Sequence, residues 1–224
     1  MTEEINPSLS WNINEKRQSE IYSKRWKGNQ RRIGITGGIA SGKSSVAEYL
    51  KNYKNLPILD ADIYAKNILS PGTEISKSVI GHFGENIIDN NCESKQVIDR
   101  AVLAEKIFSN KKERIWLEKL IHPIVRKTIE DNLQINSNKS IIVIIIPLLF
   151  EAGLMDVCSE IWVVDCSQEK QIKRLMKRNS LSRKQSIERI NSQFPLNIKR
   201  NLADVIIDNN NKPKDLINQI EDLF

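Results

Sequence analysis

Eight residues, Gly37-Gly38-Ile39-Ala40-Ser41-Gly42-Lys43-Ser44, carry the densest chemical signal in the chain. They fit the phosphate-loop pattern G-x-x-x-x-G-K-[ST]. Glycines adopt positive φ angles that other residues avoid, so several backbone N–H groups of the loop can turn inward onto the phosphates of a nucleotide triphosphate. Lys43 would neutralise β/γ-phosphate charge and Ser44 would ligate Mg²⁺. The apolar run Ile33-Gly34-Ile35-Thr36 before the loop reads as a strand, and Ser45-Val46-Ala47-Glu48-Tyr49-Leu50 after it reads as a helix. The positive end of that helix dipole would face the same anion. Kinases, GTPases, motor ATPases and helicases all use this loop, so the remaining residues must discriminate.

Two carboxylates in Asp60-Ala61-Asp62 end the second predicted strand, where ligands of open α/β sheets bind. One of them can act as a base that orients and deprotonates an acceptor hydroxyl, the stronger candidate being Asp62; the competing reading of Asp60 is an N-cap for the next helix. A basic run from Lys170 to Arg178 puts Arg174 and Arg178 four apart on one helical face, with Lys170 a turn earlier and Lys173 and Lys177 on a neighbouring face. Such a helix either clamps transferring phosphates as a mobile lid or is a solvated surface helix. Pro147-Leu148-Leu149-Phe150-Glu151 can line a pocket or fill core, and His122-Pro123 begins or interrupts a helix with Arg126 a turn on.

These groups need elements to hold them, and the apolar runs supply candidates. Strands are expected at Ile33 to Thr36, Pro57 to Asp60, Ile141 to Ile146, Ile161 to Asp165 and Val205 to Ile207, alternating with helices as in an α/β domain with a parallel sheet. The run Ile141 to Ile146 is the most apolar and is expected to be the central strand. A long insertion over about residues 62 to 135 reads as helical at Ile75 to Ile80, Ala101 to Phe108 and Ile115 to Asn132, with turn signals at Pro71-Gly72 and Asn90-Asn91. Residues 1 to 30 are polar and read as an extension of no assigned role. The chain of 224 residues has 40% hydrophobic residues, enough for one packed domain. Its net charge of +6 fits nucleic acid or a polyanionic small molecule, and the excess is concentrated between Glu169 and Arg200. Phe194 is the one aromatic of residues 170 to 200, where single-strand binders interleave several, and an N-K-x-D guanine motif is missing. Cys92, Cys158 and Cys166 form neither a disulfide framework nor a zinc pattern, and no apolar run approaches membrane-span length, so a cytoplasmic setting is expected.

Taken in order, the phosphate loop, Asp60-Ala61-Asp62, Pro71-Gly72, Phe83-Gly84, Asp99-Arg100, Ile107-Phe108, His122-Pro123-Ile124-Val125-Arg126, Pro147 to Glu151, Val163 to Cys166, Arg174 to Arg178 and Ala203 to Asn209 resemble the dephospho-coenzyme A kinase family from Arg32 onward. The resemblance implies an α/β, three-layer, nucleoside/nucleotide-kinase-like phosphate-loop NTPase with a parallel five-stranded sheet. Core residues 31–61 and 136–224, a helical substrate-binding insertion at about 62–135 and a lid at about 170–200 would make up the kinase domain. It implies transfer of the ATP γ-phosphoryl group to the ribose 3′-hydroxyl of dephospho-coenzyme A, the last step of coenzyme A biosynthesis, with Mg²⁺ at Ser44. Residue by residue, it implies Asp62 as base, Lys43 and Arg178 as catalytic cations, Gly38, Ala40, Ser41, Gly42, Lys43, Ser44, Ser45 and Arg174 as ATP contacts, and Asp62, His122 and Arg126 as substrate contacts. Expected with it are no nucleic-acid or membrane partner and a monomer or weak homo-oligomer. Two departures stand out: Ala40 replaces a common Gly and Ser45 a common Thr, so a loop demanding positive φ at residue 40 would strain Ala40.

Overall fold

A computed structural model of the chain describes residues 22–89 and 96–224. The expected turn at Asn90-Asn91, Cys92 and most of the expected extension lie outside the described residues.

The strands are β1 (Arg31–Gly37), β2 (Ile58–Asp60), β3 (Ile141–Ile145), β4 (Glu160–Asp165) and β5 (Val205–Asp208). The helices are α1 (Lys43–Tyr53), α2 (Ala61–Ile68), α3 (Glu74–Phe83), α4 (Arg100–Ser109), α5 (Lys111–Ile135), α6 (Gln168–Asn179), α7 (Arg183–Asn191), α8 (Leu196–Asn201) and α9 (Pro213–Glu221). All strand pairings are parallel, in the order β2-β3-β1-β4-β5. The centre is therefore β1, not the expected Ile141 run. β3 is flanked by strands on both edges and covered on both faces, so its composition resembles that of a central strand although it lies one place off.

The β-period splits the apolar side chains between two cores. Ile142, Ile144, Ile161 and Val163 face one side with Leu117, Ile121, Val125, Ile129 and Leu133 of α5, a stripe repeating every four residues. Ile33, Ile35, Val143, Trp162 and Val164 face the other, against Val46 and Leu50 of α1 and Leu216 and Ile220 of α9. Each fully buried aliphatic side chain contributes roughly 1.5–3 kcal/mol. The outcome is helix, sheet, helix in three layers.

Parallel pairing has a direct consequence for function: Gly37, Asp60, Ile145, Asp165 and Asp208 all end at one edge. At that edge β1 is followed in space by β3 on one side and β4 on the other, and a crevice opens where the connections diverge. Residues just before β1 are part of the same body. Arg25 is buried in an ion pair with Asp204, Trp26 N–H donates to the Cys158 carbonyl at 3.0 Å, and the Arg32 guanidinium stacks 3.5 Å over the Trp26 ring.

Candidate active site

The phosphate loop joins β1 to α1 as the sequence requires. Gly37 has φ +148°, and a Cβ there would lie 2.4 Å from the Val164 carbonyl oxygen of β4. Gly42, at φ +111°, is the N-cap of α1; it offers no side chain to the free N–H groups, and the first turn holds no acidic residue. The helix N-terminus is thus left with its positive potential uncompensated by any capping side chain, which suits an anion. Ala40 adopts φ +58°, the left-handed conformation. The strain foreseen for an alanine at this position is present, of order 1 kcal/mol.

Side chains from distant elements pull the loop carbonyls outward. Gln171 Nε2 of α6 donates to Ile39 O at 2.9 Å, Arg174 donates to Ala40 O and Ser41 O at 3.0 and 2.9 Å, and Asn209 Nδ2 donates to Ser41 O at 2.7 Å. Because the trans peptide sets C=O and N–H on opposite sides, fixing the Ile39 and Ser41 carbonyls outward turns the Ala40 and Gly42 N–H groups toward the loop interior. The Ile39 N–H itself is taken by Gln193 Oε1 at 2.8 Å. Arg174, expected at the phosphates, has its guanidinium on two carbonyls of the phosphate loop itself. Gln171 and Gln193 were missed by a reading that searched for charges and glycines; the spacing of Gln171 and Arg174, three apart on one face of α6, was the available signal.

Lys43 is half-buried and folds back on its own loop, donating to Gly38 O at 2.9 Å and Gly37 O at 3.3 Å. Burial, then repulsion from Lys199, lowers its pKa from 10.5 to about 8; Asp62 and Glu151 pull it up. Asp62, in the first turn of α2, opens to solvent on one side. Desolvation, then repulsion from Asp60, raises its pKa above the ordinary 3.8, with Lys43, Lys66 and Arg178 opposing. Lys43, Asp62 and Arg178 therefore share one electrostatic neighbourhood. Arg178 is exposed at the end of α6, its Nε–H on Asn179 Oδ1 at 2.9 Å. Asp60 Oδ1 accepts from the N–H groups of Asp62 and Ile63 at 2.9 and 3.4 Å, so Asp60 is the N-cap of α2. The Ser44 and Ser45 side chains are exposed on the first turn of α1, whereas Ser41 is buried.

Beside this centre lies a cavity of about 1670 Å³ between α5, the loop after β3 and the segment preceding α8. Gly38 touches it from the phosphate loop; Lys43 and Asp62 do not line it. His122 lines it, and burial lowers the pKa of its imidazole while Glu151 opposes. Pro123 sits within the continuous helix α5 and, lacking an N–H, removes the helical hydrogen bond to the Lys119 carbonyl on the cavity wall. Arg126 is absent from that wall. It is engaged by Asp156, at 3.2 and 2.5 Å, and by Glu130 one turn along α5, at 2.9 Å.

A family model for dephospho-CoA kinase matches residues 31–215, nearly the whole of the sheet and helices described above. The chain belongs to the dephospho-CoA kinase family. A protein of Prochlorococcus marinus named dephospho-CoA kinase is 50% identical over 189 residues, covering 84% of this chain and 90% of its own. Among solved structures, dephospho-CoA kinase from Campylobacter jejuni superposes with a TM-score of 0.59 at 29% identity, over 86% of this chain and 94% of that one. The protein TT1252 from Thermus thermophilus superposes with a TM-score of 0.69 at 28% identity, over 88% and 97%. The kinase fold, with its parallel five-stranded sheet, is thus shared with a solved dephospho-CoA kinase. Among the described residues no helix is long and apolar enough to cross a membrane, and no three His, Cys, Asp or Glu side chains cluster to hold a metal ion.

Proposed function

We propose that the protein transfers the γ-phosphoryl group of ATP to the ribose 3′-hydroxyl of dephospho-coenzyme A, giving coenzyme A and ADP. The observation that supports the assignment of roles is the proximity of Lys43, Asp62 and Arg178 at the carboxyl edge of the sheet: Asp62 favours the charged form of Lys43, and Lys43 and Arg178 favour the charged form of Asp62. Phosphoryl transfer needs positioning and charge stabilisation more than covalent chemistry from the protein. Ala40 and Gly42 N–H groups and the α1 terminus cradle the phosphates. Lys43 leaves the Gly37 and Gly38 carbonyls for the β/γ-phosphates, and Arg178 approaches the transferring group from α6. Asp62, with its pKa raised, receives the proton of the 3′-hydroxyl and aligns it for in-line attack.

The exposed Ser44 hydroxyl on the first turn of α1 fits a Mg²⁺ that is held mainly by the nucleotide. That ion would neutralise charge on the β- and γ-phosphate oxygens. In this reading the 62–135 helices form one wall of the acceptor cavity, residues 170–200 act as the lid, and His122 touches the acceptor.

The test is an assay of ADP release with ATP and Mg²⁺, comparing dephospho-coenzyme A with AMP and adenosine as acceptors. ADP release that depends on dephospho-coenzyme A and yields coenzyme A supports the assignment. Turnover with another acceptor alone sinks it.

A further inference from the structure

Both hydrogen-bonding groups of Ile39 are taken by side chains from outside the phosphate loop. Its N–H donates at 2.8 Å to Oε1 of Gln193, in the segment between α7 and α8, and its carbonyl accepts from Nε2 of Gln171, on α6, at 2.9 Å. A backbone N–H can only donate and a carbonyl can only accept, so these partners fix which end of each glutamine amide faces the loop. The opposite ends, Gln193 Nε2 and Gln171 Oε1, are left over. Neither has a hydrogen-bond partner among the described residues, and neither is one of the unpaired polar atoms sealed from solvent. Both residues line the cavity that reaches Gly38.

Gln171 is only 3% exposed, and buried side-chain amides rarely leave half their capacity unused. Its amide fills the space of a side chain at residue 38: a Cβ on Gly38 would lie 2.0 Å from Nε2 and 3.6 Å from Oε1. The Gly38 carbonyl in turn accepts from Lys43 Nζ at 2.9 Å. The free amide ends therefore sit against the same loop residues as the lysine assigned to the phosphates. A phosphate offers acceptors only, and Gln171 Oε1 would repel it. A hydroxyl both donates and accepts, so one hydroxyl satisfies the free oxygen and the free NH₂ together. The acceptor molecule must bring its sugar to this loop to present the 3′-hydroxyl, and the adjacent 2′-hydroxyl is the group of that chemistry which arrives with it.

We propose that Gln171 and Gln193 form an acceptor and donor pair for the ribose 2′-hydroxyl of dephospho-coenzyme A, with Gln171 Oε1 taking the hydrogen bond of its O–H and Gln193 Nε2 donating to its oxygen. This inference rests on the proposed reaction and adds to it the selection of a ribose over a deoxyribose acceptor. Because both amides are anchored on Ile39, the contact ties the position of the sugar to that of the loop that holds the phosphates. A sugar lacking the 2′-hydroxyl leaves both amide ends unpaired, and sites built to pair a hydroxyl discriminate against analogues that lack it.

The experiment measures kcat/KM for dephospho-coenzyme A and for its 2′-deoxyribose analogue, with ATP and Mg²⁺, in the wild type, Gln171→Met and Gln193→Met. Methionine keeps the length of glutamine without its amide, and the two positions lie in different segments, so a variant that unfolds leaves the other to be read. The wild type is expected to favour the ribose acceptor by roughly tenfold or more, and each folded variant to narrow that preference by about threefold or more. Glutamines that only brace the loop would lower kcat/KM for both acceptors by one factor and leave their ratio untouched. An unchanged ratio in the folded variants, or a wild type indifferent to the 2′-hydroxyl, overturns the inference while the reaction stands. Failure of the wild type to phosphorylate dephospho-coenzyme A overturns the proposed reaction, and the inference with it.

Discussion

Replacing Lys43 by Met is expected to abolish turnover and, at neutral pH, to stabilise the ligand-free protein. The pKa of Lys43 falls from 10.5 to about 8 in the folded protein. At 1.36 kcal/mol per pH unit, holding the ammonium charged in the fold costs about 3 kcal/mol at most. Methionine escapes that cost but gives up the bonds to Gly37 O and Gly38 O, together about 2 kcal/mol. The balance at pH 7 is about 1 kcal/mol in favour of the variant, a Tm higher by roughly 2–4 °C for a chain of this size. The pH dependence follows from the sign of the linkage. Below pH 8 both folded and unfolded wild type carry the proton and the full penalty applies. Between about pH 8 and 10.5 the unfolded chain binds more protons than the fold, so wild-type stability rises with pH through this group. Near pH 10 the penalty has fallen to roughly 1 kcal/mol, less than the lost hydrogen bonds, and the variant should be the less stable protein. Paired thermal melts at pH 7 and pH 10 read this inversion, because titrations common to both proteins cancel. A variant destabilised equally at both values would refute the assigned burial of charge. Adding ATP and Mg²⁺ should raise the melting temperature of wild type well above that of the variant.

Further outcomes follow from the same geometry. Asp62→Asn should lower kcat by roughly 10²- to 10⁴-fold with ATP binding retained, and should remove an acid limb of the kcat/KM profile that lies above the ordinary carboxylate value of 3.8; unaltered turnover would remove Asp62 from the chemistry. Asp60→Ala should cost about 1 kcal/mol of stability through loss of the α2 cap, read by urea melts, with a much smaller effect on kcat than the change at Asp62. Ala40→Gly relieves the left-handed strain against a smaller gain in unfolded-chain entropy, so stability should rise by about 0.5 kcal/mol, and a loss in a thermal melt would contradict the strain. Arg25→Ala breaks the pair with Asp204 and the bond to the Leu202 carbonyl, and should cost about 2 kcal/mol while leaving the KM for ATP unchanged; an unaltered Tm would detach residues 22–30 from the folded domain.

The phosphate loop was legible because its requirements are local. Positive φ at Gly37 and Gly42, an apolar strand before and a helix after are all properties of a dozen consecutive residues, and the strands at the other apolar runs follow from the same short-range patterns. The order of those strands was not legible, since Ile141–Ile145 and the true centre, Arg31–Gly37, are both flanked and covered, and composition reports only cover. Spacing alone also left Asp60 and Asp62 as rival candidates. The fold separates them by giving one carboxylate to the α2 cap and leaving the other facing Lys43 and Arg178. Arg126, a substrate contact by the family resemblance, has its guanidinium on Asp156, 30 residues away, a pairing that spacing does not reveal. Gln171 and Gln193 reach Ile39 across 132 and 154 residues, and Lys199 meets Glu151 inside the protein although lysine is ordinarily a surface residue. The amino-acid sequence by itself determined the nucleotide loop, the family and the parallel α/β layers, which rest on local backbone preference and burial. Only the tertiary structure decided which polar groups brace the loop, which are consumed by ion pairs and which oxygen stays free, because a hydrogen bond depends on where two distant side chains end in space.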